Sequence, residues 1–211
     1  SLLQGNISQD LKWRDDHIEN TMEIYKKLIL ESPSQLIVTP EISIPLFSNV
    51  VPAKYIAQLA EHARNNNGDV LVGLAEHGVN QGEYYNTMFS FGSAPEQSYR
   101  KYHLVPFGEY IPLKAVFGWI IHILQIPLSD FSRGSLDQKP MYLAGQRIAI
   151  NICYEDVFGE EIRRARARAL RRLPQHLRPG PDPPHQLGRD HRRQPGLLVP
   201  LPQPALRLGS R

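Results

Sequence analysis

One cysteine, Cys153, stands in the 211 residues. A single thiol excludes an intramolecular disulfide, and zinc sites built from several cysteines go with it. It leaves the compartment open, because many proteins of oxidising compartments also lack disulfides. No stretch holds the ~18 uninterrupted apolar residues that a bilayer-crossing helix needs. No secretory leader is visible either, since "SLLQGNISQD" turns polar after three residues. There is no initiating methionine, as expected of a piece cut from something longer.

A second set of absences lies at the C-terminal end. From Arg163 onward there is no Lys, Ile, Asn, Thr, Met, Phe, Tyr or Trp. The net charge of +3 hides this division. Residues 1–162 hold 12 Lys/Arg against 19 Asp/Glu, a balance of −7, and residues 163–211 hold 12 Arg against 2 Asp, a balance of +10. With prolines spread through it and little to bury, the 163–211 segment has the composition of a disordered tail. Arg, Pro, Ala, Gly and Leu are also what GC-rich codons yield out of frame. The expectation is therefore a reading frame lost near residue 163, and a chain that is inactive and poorly folded as written. Ten net positive charges could hold nucleic acid, but without an aromatic, a lysine or a known module no nucleic-acid partner is expected.

The body reads as strands alternating with helices, an α/β pattern. Residues 15–31 place Ile18, Met22, Tyr25, Leu28 and Ile29 at helical spacing, with acids in the first turn and lysines later. A second helix is predicted over 51–66, ended by "NNNGD". Strands are predicted in "LLQGNI", "SQLIVTP", "VLVGLAEHG", "YYNTMFSFG" and "SYRKYHLVP", with two more in "MYLAGQRIAINICYE" joined at Ala144-Gly145. The apolar run 111–128, "IPLKAVFGWIIHILQIPL", reads as a core helix, or alternatively as a lid on a membrane surface.

Three predicted strand ends carry chemistry. Glu41 follows "LIVTP", Lys101 lies among aromatics with Glu109 eight residues on, and Cys153 ends "RIAINIC". A thiol attacks only as thiolate and needs a base or a positive charge nearby. Glu41 can take its proton, and Lys101 can stabilise the oxyanion of a tetrahedral intermediate. Singly, a buried Cys is a small hydrophobe, a Pro-Glu a turn, and an Arg-Lys pair a solvated face. Their conjunction in this chain order carries the weight.

That order, with "PE" after a strand, "RKYHLVPFGEY" and "CYED", resembles the carbon–nitrogen hydrolase (nitrilase) superfamily. "QGNISQDLKW", "YNTMFSFG", "KYHLVPFGEYIPL", "FSRG" and "ICYEDVFGEEIR" are similar to the periplasmic domain of one branch of it, which places the third acyl chain on bacterial lipoproteins. The resemblance covers residues 3 to about 164. It implies a nitrilase-like α-β-β-α sandwich, incomplete after about residue 164. It puts the catalytic triad on Glu41, Lys101 and Cys153, with Glu109, Trp13, Tyr154 and Glu155 as substrate-binding or supporting residues. It implies no metal and no cofactor. The implied donor is a phospholipid and the implied acceptor a diacylglyceryl lipoprotein, at the periplasmic face of the bacterial inner membrane. It also favours the lid reading of 111–128. Thr39 departs from the Trp that usually precedes Pro-Glu in the family. After residue 163 the family's further strands, helices and "NDAWFG"-type loop have no counterpart here. The alternative function is a soluble amidase using the same triad.

Overall fold

The structure is a computed structural model that describes residues 1–106, 108–110 and 131–170. The chain runs α1 (Gln9–Lys12), α2 (Asp15–Leu30), β1 (Leu36–Val38), α3 (Ala53–Asn65), β2 (Asp69–His77), β3 (Tyr84–Gly92) and β4 (Gln97–Arg100). The hairpin β5 (Met141–Leu143) and β6 (Gln146–Ile148), a 3-10 helix Cys153–Val157 and α4 (Gly159–Leu170) follow. Strands β1 to β4 form one sheet in chain order. β1 and β2 are parallel, and the β2–β3 and β3–β4 pairs are antiparallel.

Alternation along β2 divides the core, because successive side chains leave opposite faces of a strand. Val70, Val72 and Leu74 pack with Ile29, Leu59 and Ala63 of the helices α2 and α3. Leu71, between them, packs with Met88, Met141, Leu143, Ile148, Ile150 and Ile152. The described residues thus stack as helices, sheet and hairpin, a layered α/β arrangement. Each fully buried Leu or Ile in these layers contributes about 1.5–3 kcal/mol. Asp69 ties the layers at one end of the sheet. Its carboxylate accepts from the amides of Ala94 (2.8 Å) and Ala144 (2.7 Å), the second in the β5–β6 turn. That turn falls at Ala144-Gly145, both with positive φ.

The predicted helices and most strands recur within a few residues of their expected ends. "LLQGNI" is not a strand and makes only an isolated bridge, Leu2 to Val38. The strand in "SYRKYHLVP" stops at Arg100, because the Tyr102 and His103 amides leave the ladder to donate to the Glu155 carboxylate. Cys153 opens a 3-10 turn and does not end a strand. Residues 163–170, in the segment expected to be disordered, are the later part of α4. They are Arg, Ala and Leu, all good helix formers, and the first proline comes only at Pro174. The run 111–128 and the rest of the tail lie outside the described residues. Among the described residues no helix is long and apolar enough to cross a membrane.

Candidate active site

The sheet registers bring three segments to one end. With β1 and β2 parallel and β3 antiparallel to its neighbours, the C-terminal ends of β1, β2 and β4 meet the N-terminal end of β3. Glu41 follows β1, Asn86 lies early in β3, and Lys101 follows β4. The Lys101 amide donates to the Asn86 carbonyl at 2.8 Å, which prolongs the ladder by one residue.

The turn that carries Glu41 is held from below. Thr39, buried beneath it, shares a 2.7 Å hydrogen bond with the Ser43 hydroxyl and accepts from the Gly73 amide at 3.3 Å. The residue that departs from the family pattern therefore anchors the turn with its hydroxyl. Gly73 lets the turn approach, since a Cβ there would sit 2.5 Å from the Ile42 nitrogen and the Pro40 carbonyl. Ile42 takes a positive φ of 40°, an uncommon conformation for a β-branched residue.

Lys101 is 1% exposed. Its ammonium lies 2.8 Å from Glu41 Oε1 and 2.8 Å from Glu109 Oε2. Burial alone would lower its pKa, but the charges of the two carboxylates and their hydrogen bonds more than offset that and raise it. Glu109 Oε2 also accepts from the Val105 amide at 2.8 Å, which closes the loop between them. Asn86 Nδ2 donates to Glu41 Oε1 at 2.6 Å and to Glu109 Oε1 at 3.1 Å. Its Oδ1 is buried with no hydrogen-bond partner among the described residues. Leaving a buried acceptor unpaired costs about 1–3 kcal/mol, a cost consistent with an amide committed to orienting two carboxylates.

Cys153 is partly buried, with φ +51°. Non-glycine residues so placed carry about 1–3 kcal/mol of strain and need a surround that enforces it. Glu155 supplies that surround. It is 2% exposed, and its carboxylate accepts from the amides of Ile152 (2.7 Å), Tyr102 (2.7 Å) and His103 (3.2 Å) and from the Tyr99 hydroxyl (3.1 Å). It thereby ties the cysteine turn to the backbone just after Lys101. Burial raises the Glu155 pKa against the pull of those hydrogen bonds. The Cys153 thiol, close to the Glu41 carboxylate, is pushed up to about 11. Burial is the main cause, the nearby charge of Glu41 adds to it, and Lys101 and the Tyr154 amide oppose it.

Glu41, Lys101, Glu109 and Cys153 therefore form one cluster. Trp13 packs beside it against Ile42 and Leu104. The Tyr154 ring turns away to meet Phe158 edge-on at 5.4 Å, and the Glu155 carboxylate points under the turn. Asn86, Thr39 and Lys12, whose ammonium donates to the Glu41 backbone carbonyl at 3.2 Å, were not among the sequence-predicted site residues. Asn86 was detectable as a lone amide in the otherwise strand-like "YYNTMFSFG". Among the described residues no group of His, Cys, Asp or Glu could hold a metal ion.

A layered α/β fold with these residues at one sheet end is of the nitrilase-like class. The chain belongs to the carbon-nitrogen hydrolase family, whose sequence profile matches residues 1–193. An apolipoprotein N-acyltransferase of Nitrosomonas europaea is 69% identical over 162 residues, covering 77% of this chain and 33% of that protein. The enzyme of that name from Ralstonia nicotianae is 42% identical over 163 residues, covering 76% of this chain and 31% of that protein. The chain spans about a third of the length of these curated relatives. Among solved structures, Saccharomyces cerevisiae Nit3, of the nitrilase superfamily, is similar at 16% identity and a TM-score of 0.43, over 74% of this chain and 56% of that one.

Proposed function

We propose that these residues are the catalytic domain of an enzyme that N-acylates apolipoproteins, with Cys153 as nucleophile, Glu41 as base and Lys101 as oxyanion stabiliser. The observation that carries the reading is the thiol set close to a carboxylate, Glu41, that a buried lysine and an amide hold in place. A thiol at about 11 is ionised in only about one molecule in ten thousand at pH 7. Attack therefore requires the proton to move to Glu41 as the sulfur approaches a carbonyl.

In the first half-reaction Sγ bonds the acyl carbonyl carbon of a phospholipid, and the Cys153 proton passes to Glu41. The tetrahedral oxyanion lies against the Lys101 ammonium. The carbon–oxygen ester bond breaks and the alcohol leaves with the proton from Glu41, giving a thioester and a lysophospholipid. In the second half-reaction the α-amine of a diacylglyceryl-cysteine attacks the thioester and Glu41 takes an amine proton. The carbon–sulfur bond breaks, and Sγ recovers a proton from Glu41. Glu109 and Asn86 hold Lys101 and Glu41 in register throughout. The site works at a membrane surface, on the periplasmic side of the inner membrane, where both substrates reside.

The test is intact-mass analysis of the full-length protein after exposure to phospholipid vesicles. A hydroxylamine-labile acyl adduct on the peptide bearing Cys153 is expected, absent in Cys153→Ala along with transfer to a diacylglyceryl peptide. Transfer that survives Cys153→Ala rules the covalent route out.

A further inference from the structure

Residues 131–134, "FSRG", are laid along the backbone of the cluster. The Phe131 amide donates to the Glu109 carbonyl and the Gly134 amide to the Lys101 carbonyl, each at 2.8 Å, and the Ser132 amide donates to the Tyr84 carbonyl at 2.7 Å. Gly134 permits the approach, because a Cβ there would collide with the Arg100 carbonyl. Arg133 is thus held between backbone anchors on Glu109 and Lys101, while its own side chain is exposed. Its guanidinium lies over the Tyr110 ring, 5.1 Å from the centre. Among the described residues no carboxylate pairs with it and no hydrogen bond engages it.

A second guanidinium borders the same groove, which Arg100 and Arg133 line together with Ser98 and Ser135. Arg100 gives Nε and Nη2 to the Glu76 carboxylate, at 2.9 and 2.7 Å, and lies over the Tyr85 ring, 4.2 Å from the centre. Its Nη1 has no hydrogen-bond partner among the described residues. Glu76 cancels the charge of Arg100, so the charge of Arg133 is the uncompensated one. A ring beneath each guanidinium orients its plane without satisfying its N–H groups. Serine hydroxyls add further donors. A planar fork of donors with a positive charge left over is the arrangement that takes a phosphate.

We propose that Arg133, aided by Arg100 Nη1, binds the phosphate of the phospholipid donor and thereby selects the esters that reach Cys153. The proposal rests on the acyl-transfer reading above. In a glycerophospholipid the phosphate lies one glycerol unit from the ester carbonyl that the thiol attacks. A subsite for it has to stand beside the cluster and outside it. The 131–134 segment meets both conditions, since its backbone is bonded to that of Lys101 and Glu109 and its arginine faces solvent.

The experiment follows acylation of Cys153 by intact mass in the full-length protein. One donor is dipalmitoyl phosphatidylglycerol in detergent micelles, and the other is 4-nitrophenyl palmitate, which carries the same acyl chain and no phosphate. In Arg133→Gln the ratio of the first rate to the second should fall about tenfold, the worth of one charge-assisted hydrogen bond. Arg133→Lys keeps the charge and should recover part of the ratio. An unchanged ratio in Arg133→Gln overturns the proposal, whether both rates hold or both fall together. A parent that neither ester acylates counts against the acyl-transfer reading, and the subsite is then judged on phenylglyoxal labelling of Arg133. Phosphatidylglycerol micelles should slow that labelling relative to detergent alone, and labelling at the same rate overturns the proposal. Equal slowing by inorganic phosphate at the same concentration makes this a site for a free anion and overturns the assignment to the donor.

Discussion

Replacing Lys101 by methionine tests the physical account of the cluster most directly. Methionine keeps the length and apolar body of the side chain and removes the ammonium that lies 2.8 Å from each carboxylate. Two carboxylates then remain on Asn86, with Glu41 27% exposed and Glu109 14% exposed. Removing one partner of a buried charge cluster typically costs about 3–5 kcal/mol, because the remaining charge is left uncompensated. For a domain of this size about 2–4 °C is lost per kcal/mol, so the variant should melt roughly 6–20 °C below the parent at pH 7. The deficit has a pH signature. On the alkaline side the sign follows from the raised Lys101 pKa. Its stabilisation is complete below its ordinary value of 10.5 and is lost as pH rises through the folded-state value. The parent therefore loses stability there and Lys101→Met does not. Adding Glu109→Gln to Lys101→Met removes the excess charge and should recover much of the melting temperature without recovering transfer. Melting curves by circular dichroism between pH 4 and 11 decide the matter. A Lys101→Met variant within about 2 °C of the parent at pH 7, or strict additivity in the double variant, refutes the reasoning.

Glu41→Gln should move the Cys153 alkylation midpoint down from about 11, since Glu41's charge raises it, while transfer is lost if Glu41 is the base proposed above; an upward or unmoved midpoint contradicts the pairing. Gly73→Ala puts a Cβ 2.5 Å from the Pro40 carbonyl and should displace the Glu41 turn, lowering transfer by roughly a hundredfold while the far-ultraviolet spectrum keeps its shape. Thr39→Val leaves the Gly73 amide without its side-chain acceptor and should cost about 1–3 kcal/mol in urea unfolding, with no effect if the hydroxyl is incidental.

The layered α/β fold was legible because β2 and β3 are long and unmistakably patterned, and the helices α2 and α3 each show one apolar face. Glu41, Lys101 and Cys153 were legible as polar groups at the ends of apolar runs. What the sequence concealed were the groups that act through geometry. Asn86 looks like any polar residue on a strand face until the register sets it opposite Ala75, at the end where Lys101 follows β4. Lys12 lies 29 residues before Glu41, whose carbonyl it meets, and no local pattern connects them. Thr39 looked like a loss against the family's usual residue, because a hydroxyl's value depends on a partner 34 residues away. The end of β4 at Arg100 was hidden for the same reason, since the group that draws the next amides away is Glu155.

Glu155 also shows how buried carboxylates in one fold acquire different tasks. Its two oxygens receive three backbone amides and a tyrosine hydroxyl, so both are occupied and rigidly placed. A carboxylate so saturated cannot rotate toward a substrate or accept a proton without breaking the turn that strains Cys153. Glu109 is bound at Oε1 by Asn86 and Lys101 and at Oε2 by the Val105 amide and Lys101, and is nearly as constrained. Glu41 differs. Its recorded donors, Asn86 Nδ2 and Lys101 Nζ, both meet Oε1, and it is the most exposed of the three. The oxygen left over, Oε2, has no hydrogen-bond donor among the described residues, which suits it to the proton transfer proposed above. Three carboxylates lie within one small region, and the degree to which each is already hydrogen-bonded favours Glu41 for the role of base proposed above.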